Sequence, residues 1–323
     1  MSQGSQNHIK AGICYILTFN LLSGIQGVYL SGLLQDSDLF ATLAITFSFV
    51  SLFFVAVSVK KSNRDQNKPA PKVNMANVIG LNIATAGSWV GFFAALKYIE
   101  PAVVSALANA VGPLLTLFVT VYVLRSDKIT KGQAIAAVGV LLFMGLIINS
   151  TISKTETMTS IGVDTSLLGV LMALLCGLSM VMNTIFSKRL NNQGVQPHQI
   201  MTFRFVLIII IGAAVAGFDV VYQTLQNYWL ALLLVAILGN VIPLYLLQIG
   251  ISKTPPLIVS NCLVVAPLFY FVSQQFSDRI SFSLETLLYI CGSLVCIAIG
   301  VIAKSKAVES TSASPDSAQL AKS

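Results

Sequence analysis

Thr46-Phe47-Ser48-Phe49 returns 156 residues later as Thr202-Phe203-Arg204-Phe205. Working outward, Ser23, Ser31 and Leu34 return at the same offset as Ser179, Ser187 and Leu190. Pro101 and Pro113-Leu114 return as Pro255 and Pro267-Leu268 at an offset of 154. Asp127-Lys128-Ile129-Thr130 returns as Asp278-Arg279-Ile280-Ser281 at 151. An offset that drifts only by loop-sized steps is the mark of an internal duplication. Both copies lie in an almost wholly apolar chain. A duplicated membrane domain points to a transporter, because two copies can rock against each other around a shared midplane site.

Composition sets the solvent. Hydrophobic residues make up 55% of the chain, charged residues 10%, and the mean hydropathy is +0.83. A soluble domain carries about 25% charged residues, so lipid must face much of this surface. A bilayer core takes roughly 20 apolar residues per helix. That ruler gives ten spans: 11–33, 38–59, 75–96, 102–124, 132–149, 166–187, 199–217, 228–250, 255–275 and 284–303. The expected fold is therefore an all-α integral membrane protein with ten transmembrane helices.

Charge gives the orientation. With the N-terminus cytoplasmic, fifteen of the nineteen Lys and Arg fall on the cytoplasmic side, densest at Lys60, Lys61, Arg64, Lys68 and Lys72. The other side holds only Lys97, Lys154 and Arg279, and Arg204 lies inside a span. Cytoplasmic loops carry the Lys/Arg excess, so both termini are expected to be cytoplasmic. The net charge of +7 is thus spread by membrane topology and does not form a nucleic-acid face. The expected location is the bacterial inner (cytoplasmic) membrane. The first apolar stretch is too long for a signal peptide and should remain as the first helix.

Five spans per half is an odd number, so the second half enters from the opposite side and the repeats are inverted. Residues 1–10 are expected as a cytoplasmic lead, 11–149 as the first repeat and 150–165 as an external linker. Residues 166–303 are expected as the second repeat, and 304–323 as a disordered cytoplasmic tail. Since one chain holds both halves, a monomer suffices.

The stretch from Leu96 to Gly145 resembles the EamA-type transporters of the drug/metabolite transporter superfamily. The resemblance rests on Tyr98, Pro101, Pro113-Leu114, Asp127-Lys128-Ile129-Thr130 and Gly139. In the second half it rests on Pro255, Pro267-Leu268, Asp278-Arg279-Ile280-Ser281 and Gly292, with Arg204 at the family's basic position. Two departures stand out. The acidic position, usually Glu, is Asp in both halves, and the first-half partner of Arg204 is Ser48. The resemblance implies a central cavity lined by spans 1, 3, 4, 6, 8 and 9, with spans 5 and 10 outside it. It also implies export as the direction of transport.

The candidate site is polar but uncharged. At mid-depth lie Asn20, Ser23 and Gln26 in span 1, and Asn82, Ser88 and Trp89 in span 3. Ser105 and Asn109 lie in span 4, Asn183 in span 6, Asn240 and Tyr245 in span 8, and Ser260 and Asn261 in span 9. Each has a plainer reading as glue between helices through interhelical hydrogen bonds. Pro113 and Pro267 each free a backbone carbonyl one turn back, and with Arg204 they are the expected hinge or gating positions. Asp127 and Asp278 are expected to be structural, capping the helices that follow, with charge pairing to neighbouring basic residues as the alternative. Gly87-x-x-x-Gly91 gives span 3 a small face for close helix packing.

No carboxylate lies deep in any span, and His8 and His198 sit near the surface. Proton-coupled carriers use such groups as relays. The leading expectation is therefore a secondary carrier, exporter or facilitator, of small neutral or zwitterionic metabolites such as amino acids. The alternative is a proton-coupled carrier for drug efflux. Phosphorylated substrates would call for several buried Lys or Arg. There is no nucleophile–base pair, metal spacing or P-loop, so no catalytic residue, metal or cofactor is expected. The five cysteines lack CxxC spacing and read as small apolar residues.

Overall fold

The computed structural model describes residues 3–62, 73–118, 131–158, 163–254 and 256–312, and all its regular elements there are helical. The first repeat comprises α1 (Gln3–Asp36), α2 (Leu39–Ser62), α3 (Met75–Tyr98), α4 (Pro101–Phe118) and α5 (Lys131–Met158). The second begins with α6 (Val163–Asn192), α7 (Pro197–Phe203), α8 (Val206–Ala216) and α9 (Phe218–Leu234). A π-helical turn, Val235–Val241, leads into α10 (Ile242–Lys253), followed by α11 (Pro256–Val264), α12 (Ala266–Gln274) and α13 (Leu284–Ser312). Eight helical segments are long and apolar enough to cross a bilayer, and the shorter apolar Pro101–Leu115 and Cys262–Gln274 complete the ten. Large apolar side chains such as Leu52, Ile83, Ile135 and Val138 stand exposed. On a soluble monomer so much exposed apolar surface would be a liability; here it is the lipid face.

The helices outrun the apolar windows. Helix α1 starts within the expected lead, α5 runs into the expected linker, and α13 extends into the expected tail. Hydropathy marks the hydrocarbon core, whereas a helix can continue into the polar interface. Span 8 also begins earlier than expected, at Phe218. Only Gly217 separates it from α8, with a φ of 80° that a residue bearing Cβ adopts at a cost.

The core draws on both repeats, centred on Leu43, Phe47, Phe93, Leu96 and Leu107 of α2, α3 and α4 and on Phe205 just before α8. Helix α3 packs most extensively on α6, α1 on α10 and α12, and α5 on α13. Spans 5 and 10 therefore pair mainly with each other.

Small residues set the closest approaches. A Cβ on Gly91 would stand 2.7 Å from the Met172 carbonyl oxygen and 2.9 Å from the Cys176 nitrogen. One on Gly177 would stand 2.5 Å from the Ala108 carbonyl. The Gly87–Gly91 face is thus a packing face against α6.

Gly91→Ala must push backbone against backbone and is expected to destabilise the protein by about 1–3 kcal/mol. At Gly145 an added methyl would meet nothing within 4 Å, so alanine there should be tolerated or gain from its helix propensity. Thermal unfolding of both variants in detergent micelles checks the contrast.

Candidate functional site

Three of the second-repeat spans are interrupted, and each interruption has an asparagine on it. Span 7 breaks between α7 and α8 at Arg204-Phe205, with neither Pro nor Gly to cause it. A side chain enters the helix ladder there: the Leu207 N–H donates to Asn82 Oδ1 of α3 at 3.2 Å. Asn82 Nδ2 in turn donates to the Val78 carbonyl at 3.0 Å.

Span 8 is interrupted by the π-turn. Asn240 Nδ2 donates to the Val235 carbonyl, five residues back, at 2.9 Å. Single π-turns are rare and often sit at functional sites.

Span 9 breaks at Val265, just before buried Pro267, which has no N–H to give. The last carbonyls of α11 are then without helical donors. Asn20 Nδ2 of α1 donates to one of them, the Cys262 carbonyl, at 2.6 Å.

A second polar knot joins α3 to α6. Thr85 Oγ1 donates to Asn183 Oδ1 at 3.1 Å, and Asn183 Nδ2 donates to Ser88 Oγ at 3.4 Å. Ser88 also donates to the Thr85 carbonyl at 2.9 Å. All three are buried. On α4, Asn109 Nδ2 donates to the Ser105 carbonyl at 2.8 Å and lies within 3.3 Å of Ser105 Oγ.

Not every polar atom is satisfied. Among the described residues, Asn20 Oδ1, Gln26 Nε2, Thr46 Oγ1, Arg204 Nε, Asn240 Oδ1 and Thr254 Oγ1 are buried without a hydrogen-bond partner. In apolar surroundings each such group carries a penalty of roughly 1–3 kcal/mol. Three of the six belong to the candidate residues Asn20, Gln26 and Asn240.

The remaining candidates divide. Ser23 is buried on α1. Trp89 packs on Phe47 and Phe93, with ring centroids 4.8 and 6.1 Å apart. Tyr245, its counterpart at the 156-residue offset, is 66% exposed. Pro113 lies within α4 with its surface exposed. Ser260 and Asn261 lie on α11, with side chains outside the described residues. Asp127 also lies outside them.

One expectation is corrected. Asp278 does not cap the helix that follows. It is exposed in the loop, and Ser283 Oγ accepts from the Thr286 N–H at 3.3 Å at the start of α13. The loop between α12 and α13 is longer than a capping distance, so the carboxylate falls short of the helix end.

Arg204 sits in the break itself. Its guanidinium lies 5.3 Å from the Phe205 ring centroid and 3.7 Å from Met201 Sδ. No ion pair holds it among the described residues. The break places it where one helix ends and the next begins.

At the end of the bundle away from the termini, the spans are tied together. Ser31 Oγ donates to the Leu96 carbonyl at 2.8 Å and accepts from Arg279. Partial burial lowers the Arg279 pKa from its ordinary value, and the group stays charged at neutral pH. Gln274 accepts from the Ala102 N–H at 3.1 Å and donates to Glu100 at 3.2 Å. On the terminal half, a groove of about 430 Å³ runs along α1 past Lys10, Cys14, Leu17 and Leu21 to Phe269. It contains none of the polar candidates.

Thr85, Thr46 and Gln274 were not among the residues that the sequence singled out. Thr85 sits three residues before Ser88, on the same helix face, and that spacing could have flagged it. Thr46 stood in the repeated segment but served only to mark it. Nothing local distinguishes Gln274 from an interfacial Gln.

Ten spans in two halves, interrupted in the second and joined by buried amides, define a two-repeat helical membrane protein. The chain belongs to the EamA-like transporter family, whose model matches residues 10–151 and again 167–303. It is accordingly a membrane transporter of small molecules, embedded in the lipid bilayer. No curated protein matches its sequence. A crystal structure of a protein shares its fold with a TM-score of 0.54 at 15% identity, over 92% of this chain and 96% of the other.

Asn82→Leu removes the acceptor for the Leu207 N–H inside the bilayer. It is expected to cost about 1–3 kcal/mol of stability, measured by thermal unfolding in detergent. An unchanged midpoint would show that the break does not depend on this amide.

Proposed function

We propose that the protein is a secondary carrier of small neutral or zwitterionic solutes, amino acids foremost, working by alternating access between its inverted repeats. One observation carries this reading. Apart from the single guanidinium of Arg204, the buried polar side chains between the spans are amides and hydroxyls, while the described carboxylates stand at helix ends or in loops. A permanently cationic drug would seek a buried carboxylate, and a phosphorylated solute would seek several buried cations. Amides and hydroxyls suit a solute with balanced or no net charge.

Within this reading the protein exports or facilitates from the bacterial inner membrane, as a monomer with both termini in the cytoplasm. The Lys/Arg bias supports that orientation. Arg204 and Pro267 serve as hinges, since each marks a break between two helices of one span. Pro113 is the corresponding soft point of span 4. Ser23, Ser105, Asn109, Ser260 and Asn261 complete the polar lining.

Counterflow in proteoliposomes tests the reading. Vesicles are loaded with unlabelled L-alanine, L-serine, L-leucine and L-phenylalanine, and traces of the labelled compounds are added outside without an ion gradient. Protein-dependent transient accumulation is the expected outcome. Accumulation only under an imposed pH gradient would favour the proton-coupled efflux carrier instead.

A further inference from the structure

Three of the six unsatisfied atoms lie on one turn and on the two helices packed against it. The π-turn Val235–Val241 packs against both α1 and α2. Gln26 of α1 lies directly on it: a Cβ added to Gly239 would stand 2.6 Å from Gln26 Cδ and 2.9 Å from Gln26 Nε2. Next in the turn is Asn240, 2% exposed. Thr46 of α2, fully buried at 0%, belongs to a helix that packs on the same turn. Gln26 itself is 8% exposed. Gln26 Nε2, Asn240 Oδ1 and Thr46 Oγ1 are all buried and have no partner among the described residues.

Their chemistry is specific. Asn240 Nδ2 is committed to the Val235 carbonyl, an obligate acceptor, and this fixes which end of the amide is left over. The remaining atom, Oδ1, accepts. Gln26 Nε2 donates. The Thr46 hydroxyl can do either. A ligand that satisfies the turn must offer a donor to Asn240 and an acceptor to Gln26. Elsewhere Asn82, Asn183 and Gln274 spend both ends of their amides on the protein, while Asn20 also leaves its Oδ1 over.

We propose that the π-turn, with Gln26, Asn240 and Thr46, binds the polar head of the transported solute. The head carries a hydrogen-bond donor and an acceptor side by side, as an α-amino-carboxylate does. The ammonium donates to Asn240 Oδ1, the carboxylate accepts from Gln26 Nε2, and Thr46 completes the shell. A simple amine leaves Gln26 unsatisfied, and a simple carboxylic acid leaves Asn240 unsatisfied. Thr46 lies on span 2, outside the six spans that the resemblance assigns to the cavity. The contact therefore links α1 and α2 of the first repeat to the interrupted span 8 of the second. The proposal rests on the carrier reading above.

The test uses the full chain in proteoliposomes under the counterflow conditions already given. For each labelled amino acid that accumulates, two competitors are added: its decarboxylated amine and its deaminated acid. Only the intact amino acid should compete well, with each half-head weaker by about tenfold or more, as for the loss of one hydrogen bond to a charged group. Gln26→Met and Thr46→Val are then compared with wild type. Neither change removes a hydrogen bond seen in the protein, so the thermal midpoint should hold or rise. The KM should nevertheless increase about tenfold or more for Gln26→Met and several-fold for Thr46→Val.

Wild type inert toward all four amino acids would sink both the carrier reading and this site. Wild type active, with both variants unchanged in KM, would overturn the site alone and mark these atoms as partners of a bound water. Half-heads that compete as well as the whole would overturn the pairing of donor with acceptor.

Discussion

Inside a bilayer no water is available to a backbone N–H or C=O left unpaired, so every break in a helix must be repaired from within the protein. This constraint orders the second repeat. Spans 7, 8 and 9 are each interrupted, and an asparagine amide answers each interruption. Asn82 accepts from the backbone beyond the span 7 break. Asn240 bonds across the π-turn of span 8. Asn20 donates to a carbonyl at the end of α11 in span 9. Two of these amides come from the first repeat, so the halves are joined through backbone groups as well as through apolar packing. Between helices in lipid, where apolar packing alone discriminates little, such bonds fix register.

The same constraint separates residues that looked alike in the sequence. Asn82, Ser88 and Asn183 are occupied by other parts of the protein and form its internal joints. Asn20 and Asn240 are half occupied: one end of each amide meets the backbone and the other has no partner among the described residues. Gln26 has a buried donor with no acceptor among the described residues. A polar residue in a span can therefore be glue, ligand or both, and the difference lies in which atoms remain after the backbone has been satisfied. Spacing along a helix cannot resolve this, because it gives the face on which a residue lies and not the partner it meets.

Much of the fold was nonetheless legible. Runs of about 20 apolar residues set the spans, and the repeat from Thr46-Phe47 to Thr202-Phe203 set the two halves. The Pro267 break was foreseeable because proline removes a donor wherever it stands. The span 7 break was not, because the group that meets its free N–H is Asn82, 125 residues away in sequence. The π-turn likewise goes with the bond from Asn240 Nδ2 to the Val235 carbonyl, which hydropathy along the span does not announce. The Asp278 cap failed for a simpler reason: Ser283 stands closer to the start of α13 and takes the role first.

The two halves share a plan but differ where it matters for bending. Ser48 of α2 corresponds to Arg204 at the 156-residue offset. Ser48 Oγ donates to the Ala44 carbonyl at 2.7 Å within an unbroken helix, whereas Arg204 sits in a gap between two helices. Ala84 of α3 corresponds to Asn240, and α3 runs without interruption where span 8 makes its π-turn. Continuous helices resist bending through their full ladder of backbone bonds, while broken ones bend where the ladder is interrupted. Spans 2 and 3 thus form a stiff frame, and spans 7 and 8 carry the joints. The unsatisfied amides of Gln26 and Asn240 lie where the first repeat meets the jointed spans of the second. In the alternating-access cycle proposed above, a ligand held there would touch both, so its binding energy would fall on the contact whose geometry changes as access alternates.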